Sequence, residues 1–154
     1  MRPSRIVILL SALVLAAAGR AAAKVGDPLA TFTDGPLPAQ LALSAQGATP
    51  LGGALAGRVL HRFVSDDGAI TVDVVVAGAT IEQMVMYVPR EERRGVQVSM
   101  FLQHAVGSVF GAQKGIIAFR AAVLDGGEKF LTFGGYTMRF TALAGGLLRV
   151  LVSR

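Results

Sequence analysis

The chain has 154 residues, is 53% hydrophobic, contains no cysteine or tryptophan, and carries a formal charge of +5. That length suits one domain with its own core, and the missing cysteines exclude a disulfide framework, thiol catalysis and thiolate metal sites. Part of the basic excess sits at the start of the chain, which weakens any case for a nucleic-acid partner.

Residues 1–23 read as a secretory leader. Arg2 and Arg5 form a basic start, Ile6 to Ala18 is an uncharged apolar run, and Ala21-Ala22-Ala23 offers small residues for cleavage. The run is shorter than the roughly 20 residues a bilayer span needs. Cleavage after Ala23 implies a periplasmic or secreted protein. It removes Arg2, Arg5 and Arg20 and no acidic residue, so the formal charge falls from +5 to +2. A lipid-anchored leader would require a cysteine. No transmembrane segment remains after cleavage, because Gly145-Gly146 and Arg149 interrupt the apolar stretch from Ala142 to Val152.

Residues 24–57 read as a loosely ordered lead-in. The segment holds Pro28, Pro36, Pro38 and Pro50, with a short helix expected over Pro38 to Gln46, making its apolar contacts through Leu41 and Leu43.

Residues 58–154 read as an antiparallel α+β domain. From Arg58 the period is two: Val59, His61 and Phe63 face one way, Arg58, Leu60, Arg62 and Val64 the other. Asp67-Gly68 signals a hairpin with a type I′ turn. A two-residue turn there sets Phe63 opposite Val72, His61 opposite Val74, Val59 opposite Val76, and Arg62 opposite Asp73 on the other face. Ala77-Gly78 turns the chain again, and Ile81, Val85 and Tyr87 continue the inner face of a three-stranded meander. Arg90 to Gly95 is a charged connector.

Val96 to Gly111 has helical spacing, with Val98, Phe101, Leu102, Ala105, Val106, Val109 and Phe110 on the apolar arc. Gln97, Gln103, His104, Gly107, Ser108 and Gly111 lie on the polar side. Ile116 to Leu124 then reads as a strand with Ile117, Phe119, Ala121 and Val123 inward. After the turn at Asp125-Gly126-Gly127-Glu128 come Lys129 to Phe133, a strand through Tyr136, Met138 and Phe140, and a last strand over Leu147 to Ser153. The expected fold is a two-layer α+β domain: a meander, one long amphipathic helix, then three or four more strands in an antiparallel sheet.

Candidate chemistry is sparse. His61, with Gln83 on the same predicted face, is the one pair suited to a general base and its orienter. The plainer reading of His61 is a core histidine with one hydrogen-bond partner. His104 falls on the polar face, away from His61, so the two do not make a metal site, and no metal motif occurs. Asp66-Asp67-Gly68 lacks the ligand spacing of a calcium loop. No nucleophile elbow and no phosphate-binding glycine motif is present; Gly107, Gly111 and Gly115 read as a stripe for close packing or a helix end.

The outer face of the meander is the expected interaction surface. It would display Leu60, Val75, Met84 and Met86 among Arg58 and Arg62. The functional expectation is an exported, non-catalytic binding module without cofactor or metal, taking a protein partner or a small apolar ligand in the envelope and no nucleic acid. The alternative is a cofactor-free hydrolase or isomerase with His61 as base. A third reading, attachment to a membrane surface, requires the Met-bearing face and the arginines to lie on one side.

Overall fold

The computed structural model describes residues 23–154. All but the last residue of the expected leader therefore lies outside the described residues. Two short helices, α1 (Leu29–Thr33) and α2 (Leu37–Gln40), precede strand β1 (Leu43–Pro50). The meander follows as β2 (Arg58–Ser65), β3 (Thr71–Ala77) and β4 (Thr80–Pro89). Helices α3 (Gly95–Val106) and α4 (Val109–Asp125) then lead to β5 (Glu128–Phe133), β6 (Tyr136–Ala142) and β7 (Leu147–Ser153). The strands form one antiparallel sheet in the order β1-β2-β3-β4-β7-β6-β5. The last strand thus closes against β4 at the centre, and the helical layer lies across one face. The fold is the two-layer α+β arrangement that the periodicities imply.

The β2–β3 register is the one derived from the turn. Phe63, His61 and Val59 oppose Val72, Val74 and Val76, and Arg62 opposes Asp73. The turn itself differs. Gly68 has φ +71° while Asp67 stays out of the left-handed region, and the Gly68 N–H donates to the Ser65 carbonyl at 2.8 Å. A turn with only its glycine left-handed replaces the expected type I′ turn. The Asp67 carboxylate accepts from Ser65 Oγ at 2.7 Å and the Ala69 N–H at 3.0 Å, and these bonds lower its pKa from the usual carboxylate value.

The lead-in is more ordered than its prolines suggest. The expected helix shrinks to Leu37–Gln40, and Leu43–Pro50 becomes an edge strand paired with β2. Phe32 of α1 meets Phe63 of β2 with ring centroids 4.9 Å apart, so α1 and α2 roof the end of the sheet that α3 and α4 leave uncovered.

The expected single helix is two. Val98, Phe101, Leu102 and Ala105 of α3 are fully buried, as their spacing requires. Gly107, at φ +65°, ends α3 in the left-handed conformation that glycine adopts without a Cβ clash. Ser108 starts α4 at once: its Oγ accepts from the Gly111 N–H at 3.1 Å, a standard N-cap bond. The segment expected as a strand over Ile116 to Leu124 is the second half of α4, and its buried residues Ala112, Gly115, Phe119 and Ala122 recur at helical intervals. At the far end, Arg90 Nε donates to the Val123 carbonyl at 3.0 Å, a cation at the helix C-terminus where the dipole favours one.

One bulge changes which side chains face the helices. Between β3 and β4, Val76 pairs with Ile81 but Val75 pairs with Gln83, leaving Glu82 as an extra residue. An extra residue reverses the alternation beyond it. Met84, Met86 and Val88 therefore point into the core, fully buried. Val85 and Tyr87, expected inward, lie on the outer face.

Candidate functional site

The bulge also separates the one catalytic pair. His61 sits on the helix-side face of β2, opposite Val74 and beside Ala48 of β1, partly exposed. Gln83 sits opposite Val75 on the other face. An amide across the sheet cannot orient the imidazole, so the base-and-orienter arrangement that straight alternation implied is not formed. Among the described residues, no cluster of three or more His, Cys, Asp or Glu side chains is placed to hold a metal ion.

His104 is buried, 9% exposed, where the polar arc implied solvent. Helix α2 covers it: Gln40 Oε1 lies 2.9 Å from Nε2 and accepts its proton, leaving Nδ1 without a partner among the described residues. A second proton would create a buried cation with one unpaired donor, and burial accordingly lowers the His104 pKa from 6.5. The unfolded chain then takes up a proton that the folded chain refuses. The stability contribution of neutral His104 is complete above about pH 6.5 and falls as the pH drops toward the lower folded value. Urea midpoints followed from pH 8 to pH 5 are expected to fall more steeply for the natural protein than for His104→Gln; equal slopes would contradict this.

The outer sheet face is a lattice of paired charges. Arg62 Nε and Nη2 each lie 2.8 Å from the Asp73 carboxylate in a bidentate contact, with Asp73 only 2% exposed. Asp73 raises the Arg62 pKa. Arg58 pairs with Glu82, the bulge residue. Arg139 lies over the Phe130 ring at 5.6 Å. Of the six expected interaction residues, Arg58, Leu60, Arg62 and Val75 share this face, Val75 is buried, and Met84 and Met86 face the core. The adaptable methionine surface does not exist, and with it goes the membrane reading that required it. Arg62→Ala would strand a buried carboxylate, with an expected loss of about 2 kcal/mol in chemical denaturation. A loss within about 0.5 kcal/mol, the level of an ordinary surface substitution, would show that the pair is not holding the sheet.

The apolar surface lies on the helical layer instead. Among the described residues, Phe110, Ile117 and Leu124 are 73%, 71% and 75% exposed. They recur every seven residues along α4. A straight helix drifts only about 20° per heptad, so the three form one line roughly 21 Å long. Val96 of α3, 64% exposed, flanks the line. Between the two helices runs a groove of about 580 Å³ lined by Val96, Ser99, Met100, Ile116, Ile117 and Arg120, among others.

No protein-family model, curated protein or solved structure matches this chain.

Phe110 belongs to the apolar arc of the expected single helix and Ile117 to the inner face of an expected strand; the break at Gly107 and the continuation of α4 to Asp125 turn both outward. The signal that finds the exposed line is the pairing of two spacings: Ala112, Gly115, Phe119 and Ala122 for the buried stripe, and Phe110, Ile117 and Leu124 for the opposite one.

Proposed function

We propose that this protein is an exported, non-catalytic binding module of the cell envelope, and that it binds through the outer face of α3 and α4. One observation carries the reading: three large apolar side chains, each more than 70% exposed, stand in a row on α4 while the core beneath is filled. Solvent-exposed apolar side chains are ordinary singly, but three aligned along one helix face among polar groups mark an interaction surface. The hydrolase or isomerase alternative, with His61 as base, has lost Gln83 as its orienter.

Export is supported by the leader pattern. The Lys24 backbone nitrogen lies 3.1 Å from Asp27 Oδ2. Cleavage after Ala23 would turn that nitrogen into an ammonium beside a carboxylate. Sequencing the processed chain is the check, with Lys24 expected first.

The binding reading is tested by fractionating cells that make the protein. The natural chain and His61→Ala are expected to sediment with the envelope. A chain carrying Phe110→Ser, Ile117→Ser and Leu124→Ser is expected in the soluble fraction. These side chains are exposed, so their replacement should shift stability by only about 0.5 kcal/mol each or less. Equal retention of all three proteins would sink the assignment of this face.

A further inference from the structure

We infer that the occupant of the α4 face is an anionic membrane surface, with the three apolar side chains dipping into the acyl boundary and Lys114 and Arg120 held at the headgroups. This rests on the reading of that face as the binding surface.

Charge selects the occupant. Lys114 and Arg120 are exposed on the same side of α4 as the apolar row, one before and one after Ile117. Neither has an ion-pair partner among the described residues, whereas Arg93 pairs with Glu91 and Lys129 with Asp125. The acidic groups nearby are Glu92 at the rim of the groove and Asp125 at the helix end, the latter already paired. The face thus presents two free cations interleaved with apolar side chains. That is the composition by which amphipathic helices lie in the interface of anionic bilayers, the long cationic stems reaching up to the phosphates.

A second copy fits the apolar groups but not the charges. An antiparallel α4 pair centred on Ile117 would set Phe110 against Leu124 of the other copy. The same symmetry gathers both Lys114 side chains along one flank of the seam and both Arg120 side chains along the other, so like charges would line each side of the interface. Anionic headgroups turn that repulsion into attraction, worth about a fivefold gain in partitioning per cation near the surface. The shape agrees. The apolar side chains protrude separately from a convex helix, which a fluid bilayer accommodates one by one. A protein partner would need a cavity for each.

The test is co-sedimentation of the protein purified from the envelope, with vesicles of 30% phosphatidylglycerol in phosphatidylcholine and with vesicles of phosphatidylcholine alone. The natural protein is expected to prefer the anionic vesicles by about 30-fold, and to lose that preference in high salt, where the Debye length shrinks to a few ångströms. Lys114→Gln with Arg120→Gln should bring anionic binding down to the neutral level. The triple serine variant should lower partitioning on both vesicles by about 100-fold, from the apolar area no longer buried. Phe130→Ser, the same chemical change on the outer sheet face, should behave as the natural protein. Equal binding to both vesicles, no binding, or unchanged binding by the triple variant would each overturn the inference. Disulfide-linked dimers of Ile117→Cys without vesicle binding would assign the face to a second copy instead. Failure with vesicles while envelope retention still depends on the three residues would point to an acidic protein partner, overturning the lipid occupant but not the binding face.

Discussion

Phe140→Ala is expected to cost about 4 kcal/mol of folding stability. Phe140 is fully buried on β6, opposite Val150 of β7, and its ring reaches up to α4 beside Gly115. Truncation removes the transfer free energy of a phenyl ring and leaves a cavity between sheet and helix. The neighbours that could collapse into it, Met138 and Val150, are anchored in their strands by ladder bonds. Against a total stability of about 5–15 kcal/mol for a domain, such a loss leaves little margin. Phe140→Leu keeps most of the volume and is expected to cost less than about 1.5 kcal/mol. Urea unfolding of the two variants is the check. Similar small losses for both would mean that sheet and helices do not meet at this point.

Gly115 sets the distance between the two helices, and Gly115→Val is expected to cost about 3 kcal/mol. A Cβ at position 115 would lie 2.5 Å from Leu102 Cδ1, 3.3 Å from Met138 Sδ and 3.4 Å from Phe140 Cζ. Leu102 is itself fully buried and has no solvent to swing into. Two effects oppose each other for Gly115→Ala. Glycine in a helix interior is less favourable than alanine by about 1 kcal/mol, while the clash with Leu102 works the other way; a net loss near 1 kcal/mol is expected. The sign of the coupling is the sharper prediction. Leu102→Ala opens the space that the new methyl would fill, so the double variant should be more stable than the sum of the single losses by about 1 kcal/mol. Strict additivity would show that the two helices are not in contact through this glycine.

These two sites also show where the sequence was legible. Phe140 stood out because Tyr136, Met138 and Phe140 alternate with Thr137, Arg139 and Thr141, and the pleat gives such a pattern only one meaning. The β2–β3 register was legible for the same reason. Turn position, apolar alternation and the Arg62–Asp73 pair all agree on it, and a one-residue slip would reverse every side chain.

Gly115 was legible only as part of a stripe. Its role depends on Leu102, thirteen positions earlier, and on α4 being a helix at all. Isoleucines at 116 and 117, with glycines at 111 and 115, argue locally against helix. Close packing on α3 and the Ser108 cap override them. The extra residue at Glu82 left no local mark either. A bulge is a property of a strand pair, and it decided that Met84 and Met86 are core and that Gln83 cannot serve His61. The bulge in β4 takes the methionines off the sheet surface, and the break at Gly107 with the run of α4 through Ile117 and Leu124 puts the exposed apolar line on the helical layer.

The most direct test of the α4 face exploits the absence of cysteine from the natural chain. Phe110→Cys, Ile117→Cys, Leu124→Cys and, as a control on the opposite face of the sheet, Phe130→Cys each supply a single reporter thiol. In the purified protein all four are expected to react rapidly with a polar maleimide. In intact envelope the first three are expected to be protected and Phe130→Cys to stay reactive. Equal labelling of all four in the envelope would contradict the claim that α4 is the surface through which this protein binds.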